Sequence, residues 1–262
     1  MRRAVFTYLF QEERGANMIE MVHTEFLKFK RRKIIFFVIG IILLFWAGMT
    51  FWVYNISEGD LGINGMADFY SRYGSYCSIL LLFLTGLLFI EAFSVEYKND
   101  TLKGLLQIPL TMDALFIAKI LFIILVAIII MAINSFLTVI GSVVCHFHDI
   151  SFYNLIEMVK NYMLIAVTIP ISMCPVFFVT VLAKDNMVIS TTIHFVYVLT
   201  GLIGINHLIG IHPISSLLNL LSIEQVAYKV TKGTKFLCVG NIIVVVIIIF
   251  ILMLIKNSKK NK

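Results

Sequence analysis

The sequence predicts an all-α polytopic membrane protein of about six transmembrane helices, on three observations. Sixty per cent of the 262 residues are hydrophobic against 14% charged. The mean hydropathy is +0.96. Uninterrupted apolar runs at residues 121–131 and 242–255 need lipid around them, because no soluble core of this size hides such stretches.

Residues 1–17 are polar and without pattern, and an amphipathic segment begins at once after Met18. Back-translation of residues 13–18 permits a purine-rich string a few bases before the Met18 codon, as a bacterial ribosome-binding site has. Residues 1–17 therefore read as an untranslated or disordered leader, and 18–262 as a single transmembrane domain. From residue 19 to 33, Ile19, Val22, Phe26 and Phe29 recur at helical spacing, and Lys28, Lys30, Arg31, Arg32 and Lys33 gather at the end. That is an interfacial elbow helix on an anionic leaflet. No cleavable signal peptide is evident, since the first long apolar run starts only at Ile34 and is long enough to span.

Span one is expected over 34–54, with Trp46, Trp52 and Tyr54 toward its outer end, where indole and phenol rings suit the lipid–water boundary. A polar loop with Glu58, Asp60, Asp68 and Arg72 follows. Span two is expected over 76–93 and span three over 115–144, the latter long enough to tilt or project. Spans four (163–183) and five (187–208) form a tight hairpin across Lys184, Asp185 and Asn186. Residues 212–235 are too polar to span, and the last helix is expected over 236–255.

The net charge of +6 sits beside apolar spans, so it reads as a topology signal and not as a nucleic-acid footprint. Lys28 to Lys33, Lys98, Lys103, Lys119, Lys184 and the lysine-rich tail favour the cytoplasmic side. Lys229, Lys232 and Lys235 in the third outer loop dissent from that sum. Both termini are placed inside, in a bacterial plasma membrane.

The stretch from Ser94 to Lys119 carries the most information. Asn99 or Asp100 can cap a short surface helix, Leu102, Leu105 and Leu106 give it one apolar face, and Pro109 stops it. Thr111 can cap the next span, with Asp113 in its first turn, where the helix dipole favours an anion. Physics alone allows a plain amphipathic connector here.

The residues E-Y-K-N-D-T-L-K, then L-x-x-P-L-T, then A-K, resemble the cytoplasmic loop of ABC-2 type transporter permeases. The basic elbow, the six-span plan and the polar outer segment before the last span resemble that family too. By size and general appearance the chain is similar to the small permeases of lantibiotic-immunity and bacitracin-resistance exporters. The resemblance implies that a cytoplasmic coupling helix between spans two and three docks on a separate P-loop ATPase through Glu96, Tyr97, Lys98, Thr101, Leu102 and Leu105. It implies a second permease subunit as well, either an identical copy or a related chain. No G-x-x-x-x-G-K-[ST] loop occurs, so ATP and Mg are expected on the partner and no cofactor on this chain. The expected function is ATP-driven removal of peptide antibiotics from the membrane. The alternatives are export of ions or small drugs, or a secondary carrier, which should show internal repeats and charged sites at mid-membrane.

Other signals weigh less. Cys77, Cys145, Cys174 and Cys238 form no C-x-x-C pair, although three of them fall near the outer face, where a disulfide can form. Cys145, His146 and His148 lack a complementary pair that would complete a tetrahedral metal site, so they read as a wet loop cluster. His207 and His212 read the same way. Asn134 and His194 lie inside spans, where each either lines a path or bonds between helices. Pro170 and Pro175 bend span four, as a hinge or as a static kink. Glu91 is either reached by water or paired with Lys119. An intramembrane enzyme would need acid, histidine or metal groups facing one cavity, which the spans do not present.

Overall fold

The computed structural model describes residues 18–30, 34–55, 63, 65–98, 112–183, 186–221 and 232–260. Among them there is no strand. The elbow, α1 (Met18–Lys30), leads into α2 (Ile34–Asn55), followed by α3 (Met66–Lys98) and α4 (Met112–Val144). A bent pair, α5 (Phe152–Ser172) and α6 (Cys174–Ala183), comes next, then α7 (Met187–Ile203), a short α8 (Pro213–Leu220) and α9 (Lys232–Lys260). Among the described residues, five stretches are long and apolar enough to cross a membrane: Ile34–Asn55, Met66–Ser94, Asp113–Val144, Phe152–Ala183 and Gly233–Ile255. The chain is a multi-pass membrane protein. The expected fifth span is a shorter apolar helix, Met187–Ile203.

Helix α3 starts ten residues before the span expected at 76, so Asp68 and Arg72 lie in its first turns and not in a loop. Hydropathy marks immersion in lipid, whereas the helix start is set by a cap. Asp149, beyond α4, supplies it: its carboxylate accepts from Met66 N–H at 2.6 Å and from Ala67 N–H at 3.5 Å. Gly65 makes room, since a Cβ there would lie 2.5 Å from Asp149 Oδ2. Helix α5 likewise begins eleven residues before 163, with Ser151 as N-cap accepting from Asn154 N–H.

Helix α7 stops at Ile203, short of 208, and the chain then folds back as α8. All of α8 from Pro213 to Asn219 is buried, although three of its eight residues are polar. Two of its polar side chains donate to neighbouring carbonyls: Ser215 Oγ to Gly201 O at 2.7 Å and Asn219 Nδ2 to Ile205 O at 2.7 Å, while Ser216 Oγ accepts from Gly210 N–H at 3.0 Å. From α9, Asn241 Nδ2 donates to Ile211 O at 2.9 Å. Backbone satisfied in this way tolerates burial without water.

The core runs along α3, α4, α5 and α6, centred on Tyr73, Phe89, Phe122, Tyr162 and Phe177. Helices α2 and α9 flank it and keep most of their apolar side chains outward, as lipid-facing helices do. All four cysteines are free thiols. Trp46 is not a boundary anchor: its indole N–H donates to Leu137 O at 2.6 Å, tying α2 to α4.

Candidate functional site

At the end of the bundle where α1 sits, the elbow is bolted to α4. Phe26 and Phe29 pack on Phe122, with centroids at 5.0 and 5.1 Å. Lys119 is fully buried. Its ammonium lies 2.9 Å from Glu25 Oε2, donates to Ala92 O at 3.2 Å, and stands 5.3 Å from the centroid of the Phe93 ring. Lys28 closes on the other Glu25 oxygen at 2.7 Å. Burial pushes the Glu25 carboxyl up, but the charge of Lys119 and the hydrogen bonds and charge of Lys28 outweigh it, leaving the group below its ordinary value. Three elements therefore share one ionic joint: α1 through Glu25, α4 through Lys119 and α3 through the Ala92 carbonyl.

Glu96, Tyr97 and Lys98 form the final turn of α3, one turn beyond Ala92. Thr101, Leu102 and Leu105 lie outside the described residues, as do Arg31 and Arg32. Lys30 is the last residue of α1. Residues 1–17 are outside the described set as well.

Deeper in the bundle, Asn134 joins α4 to α3: its Oδ1 accepts from Tyr73 OH at 2.7 Å and from Cys77 Sγ at 3.6 Å, and its Nδ2 donates to Ile130 O at 3.0 Å. A turn away, Thr138 Oγ1 and Tyr162 OH are 3.2 Å apart, and Tyr162 OH donates to Tyr70 O at 3.1 Å. His194 on α7 is buried, with Nε2 3.2 Å from Phe83 O. A carbonyl only accepts, so Nε2 carries the hydrogen, and among the described residues Nδ1 has no partner. The imidazole sits against Gly86, where a Cβ would collide with it.

The Pro170–Pro175 region divides α5 from α6 at Met173. Val176 N–H, which in a continuous helix would reach Ser172 O, bonds Met173 O at 3.0 Å instead. The freed Ser172 carbonyl is taken by the Tyr197 hydroxyl of α7 at 2.9 Å. Reading the sequence for prolines finds the break but not this cross-helix repair. Glu25, Tyr73, Tyr162 and Tyr197 were not singled out either. The signal for the three tyrosines is a polar group at helical spacing inside an apolar run, whereas Glu25 lies on the amphipathic elbow, where an acidic residue looks solvated.

A family model described as ABC-2 family transporter protein matches residues 21–201. The chain belongs to that family, whose members are membrane subunits of transporters and not themselves catalytic. No curated protein and no solved structure matches it.

Proposed function

We propose that this chain is the membrane permease subunit of an ATP-driven exporter in a bacterial plasma membrane, with both termini cytoplasmic and α7 completing six crossings. At about 1.5 Å per residue, α7 is some 25 Å long, a little under the hydrocarbon thickness, and local thinning of the bilayer accommodates such a difference. A separate cytoplasmic P-loop ATPase binds ATP and Mg, and a second permease, identical or related, completes the path.

The observation that carries this reading is family membership together with the ionic joint. The Glu96-Tyr97-Lys98 turn continues the helix whose Ala92 carbonyl is held by Lys119. A push on the 96–105 region by the ATPase would pass along α3 into that joint, and from there to α1 and α4. Peptide antibiotics of the lantibiotic or bacitracin kind are the proposed cargo, a reading that rests on the resemblance in size and sequence to immunity permeases.

The test is the Leu102→Asp, Leu105→Asp double variant, assayed for resistance in a deletion strain alongside its level in the membrane. The proposal expects normal membrane level with resistance lost. Resistance retained at wild-type level would show that the contact lies elsewhere.

A further inference from the structure

We infer that a cavity of about 470 Å³ between α3 and α5 is the hydrated, outward-opening part of the transport path, shaped for the polar, cation-bearing part of the cargo. The inference rests on the exporter reading, which supplies the direction called outward.

Two polar stripes face each other across this space. On α3, Asp68, Ser71 and Ser75 follow one another at helical intervals, and on α5, Glu157 and Asn161 do the same, with Tyr162 behind. Gly74 lets the stripes approach, because a Cβ there would lie 2.7 Å from Tyr162 Cε1.

The depth of the cavity makes it informative. Ser71 and Ser75 lie nine and five residues from the midpoint of the Met66–Ser94 span, and Asn161 between six and seven from that of Phe152–Ala183. Ser75 and Asn161 therefore stand about 8 and 10 Å from the bilayer centre, inside a hydrocarbon half-thickness of about 15 Å, with Ser71 near its outer edge. Asn161 is exposed. An exposed amide at such depth is not tolerated against acyl chains, and is found where it lines water or protein. The charged side chains in the lining are Asp68 and Glu157, both carboxylates. The Glu157 carboxylate in the lining favours ammonium and amide groups there over anions.

Single cysteines at Ser71 and Asn161 test this, against Val159→Cys and Phe136→Cys as lipid-facing controls. Val159 is 42% exposed and points to the opposite side of α5 from Asn161, and Phe136 is 68% exposed on α4. Intact cells are treated with membrane-impermeant cationic or anionic methanethiosulfonates, and modification of each site is read by peptide mass spectrometry. S71C and N161C should react about tenfold faster than either control, because the attacking species is a thiolate that forms only in water, and faster with the cationic reagent. Rates equal to V159C and F136C would overturn the hydrated path. An equal or greater rate with the anionic reagent would overturn the preference for cations. Because no ATPase takes part in the labelling, failure here is separable from failure of the exporter reading, which the co-purification of an ATPase decides.

Discussion

The carboxylate of Glu25 meets the ammonium of Lys119 at 2.9 Å in a joint where neither side chain is more than 5% exposed. Desolvating both charges costs several kcal/mol, which their attraction and the additional bonds to Lys28 and Ala92 offset only while every partner is present. Glu25→Gln should therefore cost about 3–5 kcal/mol of stability. Glu25→Gln combined with Lys119→Met should regain most of that loss. Denaturant midpoints in mild detergent measure both. A double variant as unstable as the sum of its single changes would show that the joint is not an electrostatic unit.

The same joint sets an acid limit. The Glu25 carboxyl in the fold lies below its ordinary value of 4.5. Its contribution is complete above that value and is lost as pH falls through the lower, folded one. Wild type should lose stability faster than Glu25→Gln below about pH 4.5, and thermal midpoints across that range show it.

His146 ends α4 with φ 57°, the left-handed region that disfavours a side chain. The hydrogen bonds around it, His146 N–H to Val143 O at 3.1 Å and Phe147 N–H to Ser142 O at 3.1 Å, form a Schellman cap. Phe147 packs on Phe69 with centroids at 5.8 Å. His146→Gly should keep the cap and gain up to about 1 kcal/mol in stability, whereas His146→Val should lose a similar amount.

His212 caps α8 by accepting Ile214 N–H on Nδ1 at 3.3 Å. Its ring lies 4.5 Å from that of Tyr197, and burial holds the imidazole below its ordinary value of 6.5. The unfolded chain takes up a proton near 6.5 that the folded cap resists, so stability falls as pH drops through that value. His212→Asn keeps an N-cap acceptor that does not titrate. Its thermal midpoint should fall less than that of wild type between pH 7 and about pH 5.5.

A buried glycine gives the most local test of packing. Gly86→Ala places a methyl where the His194 ring lies and should destabilise by about 1–3 kcal/mol. Adding His194→Ala should relieve part of the strain, which a double-mutant cycle of denaturant midpoints detects.

Much of the bundle was legible because hydropathy reports contact with lipid. Span one, expected over 34–54, is Ile34–Asn55, an apolar run that polar residues bound in sequence on both sides. The start of α3 was not legible, because it is set by Asp149, 83 residues further along the chain. Nor was α8, whose serines and asparagine look solvated until their carbonyl partners are in view. The role of Lys119 was half visible. A lysine beside a span suggests an ionic partner, and Glu91 is nearer in sequence, but the amphipathic face of α1 delivers Glu25. Asn134 stands out for the cost of an amide in lipid, and that cost is met by Tyr73 on the preceding helix, a pairing periodicity does not specify.

The central claim, a permease subunit driven by a separate ATPase, is tested most directly by purification through a carboxyl-terminal tag in mild detergent, followed by mass spectrometry and ATP hydrolysis. The account predicts a P-loop ATPase at about one copy per permease, lost on Leu102→Asp with Leu105→Asp. A protein that stays free of ATPase and silent in hydrolysis across several mild detergents would contradict it.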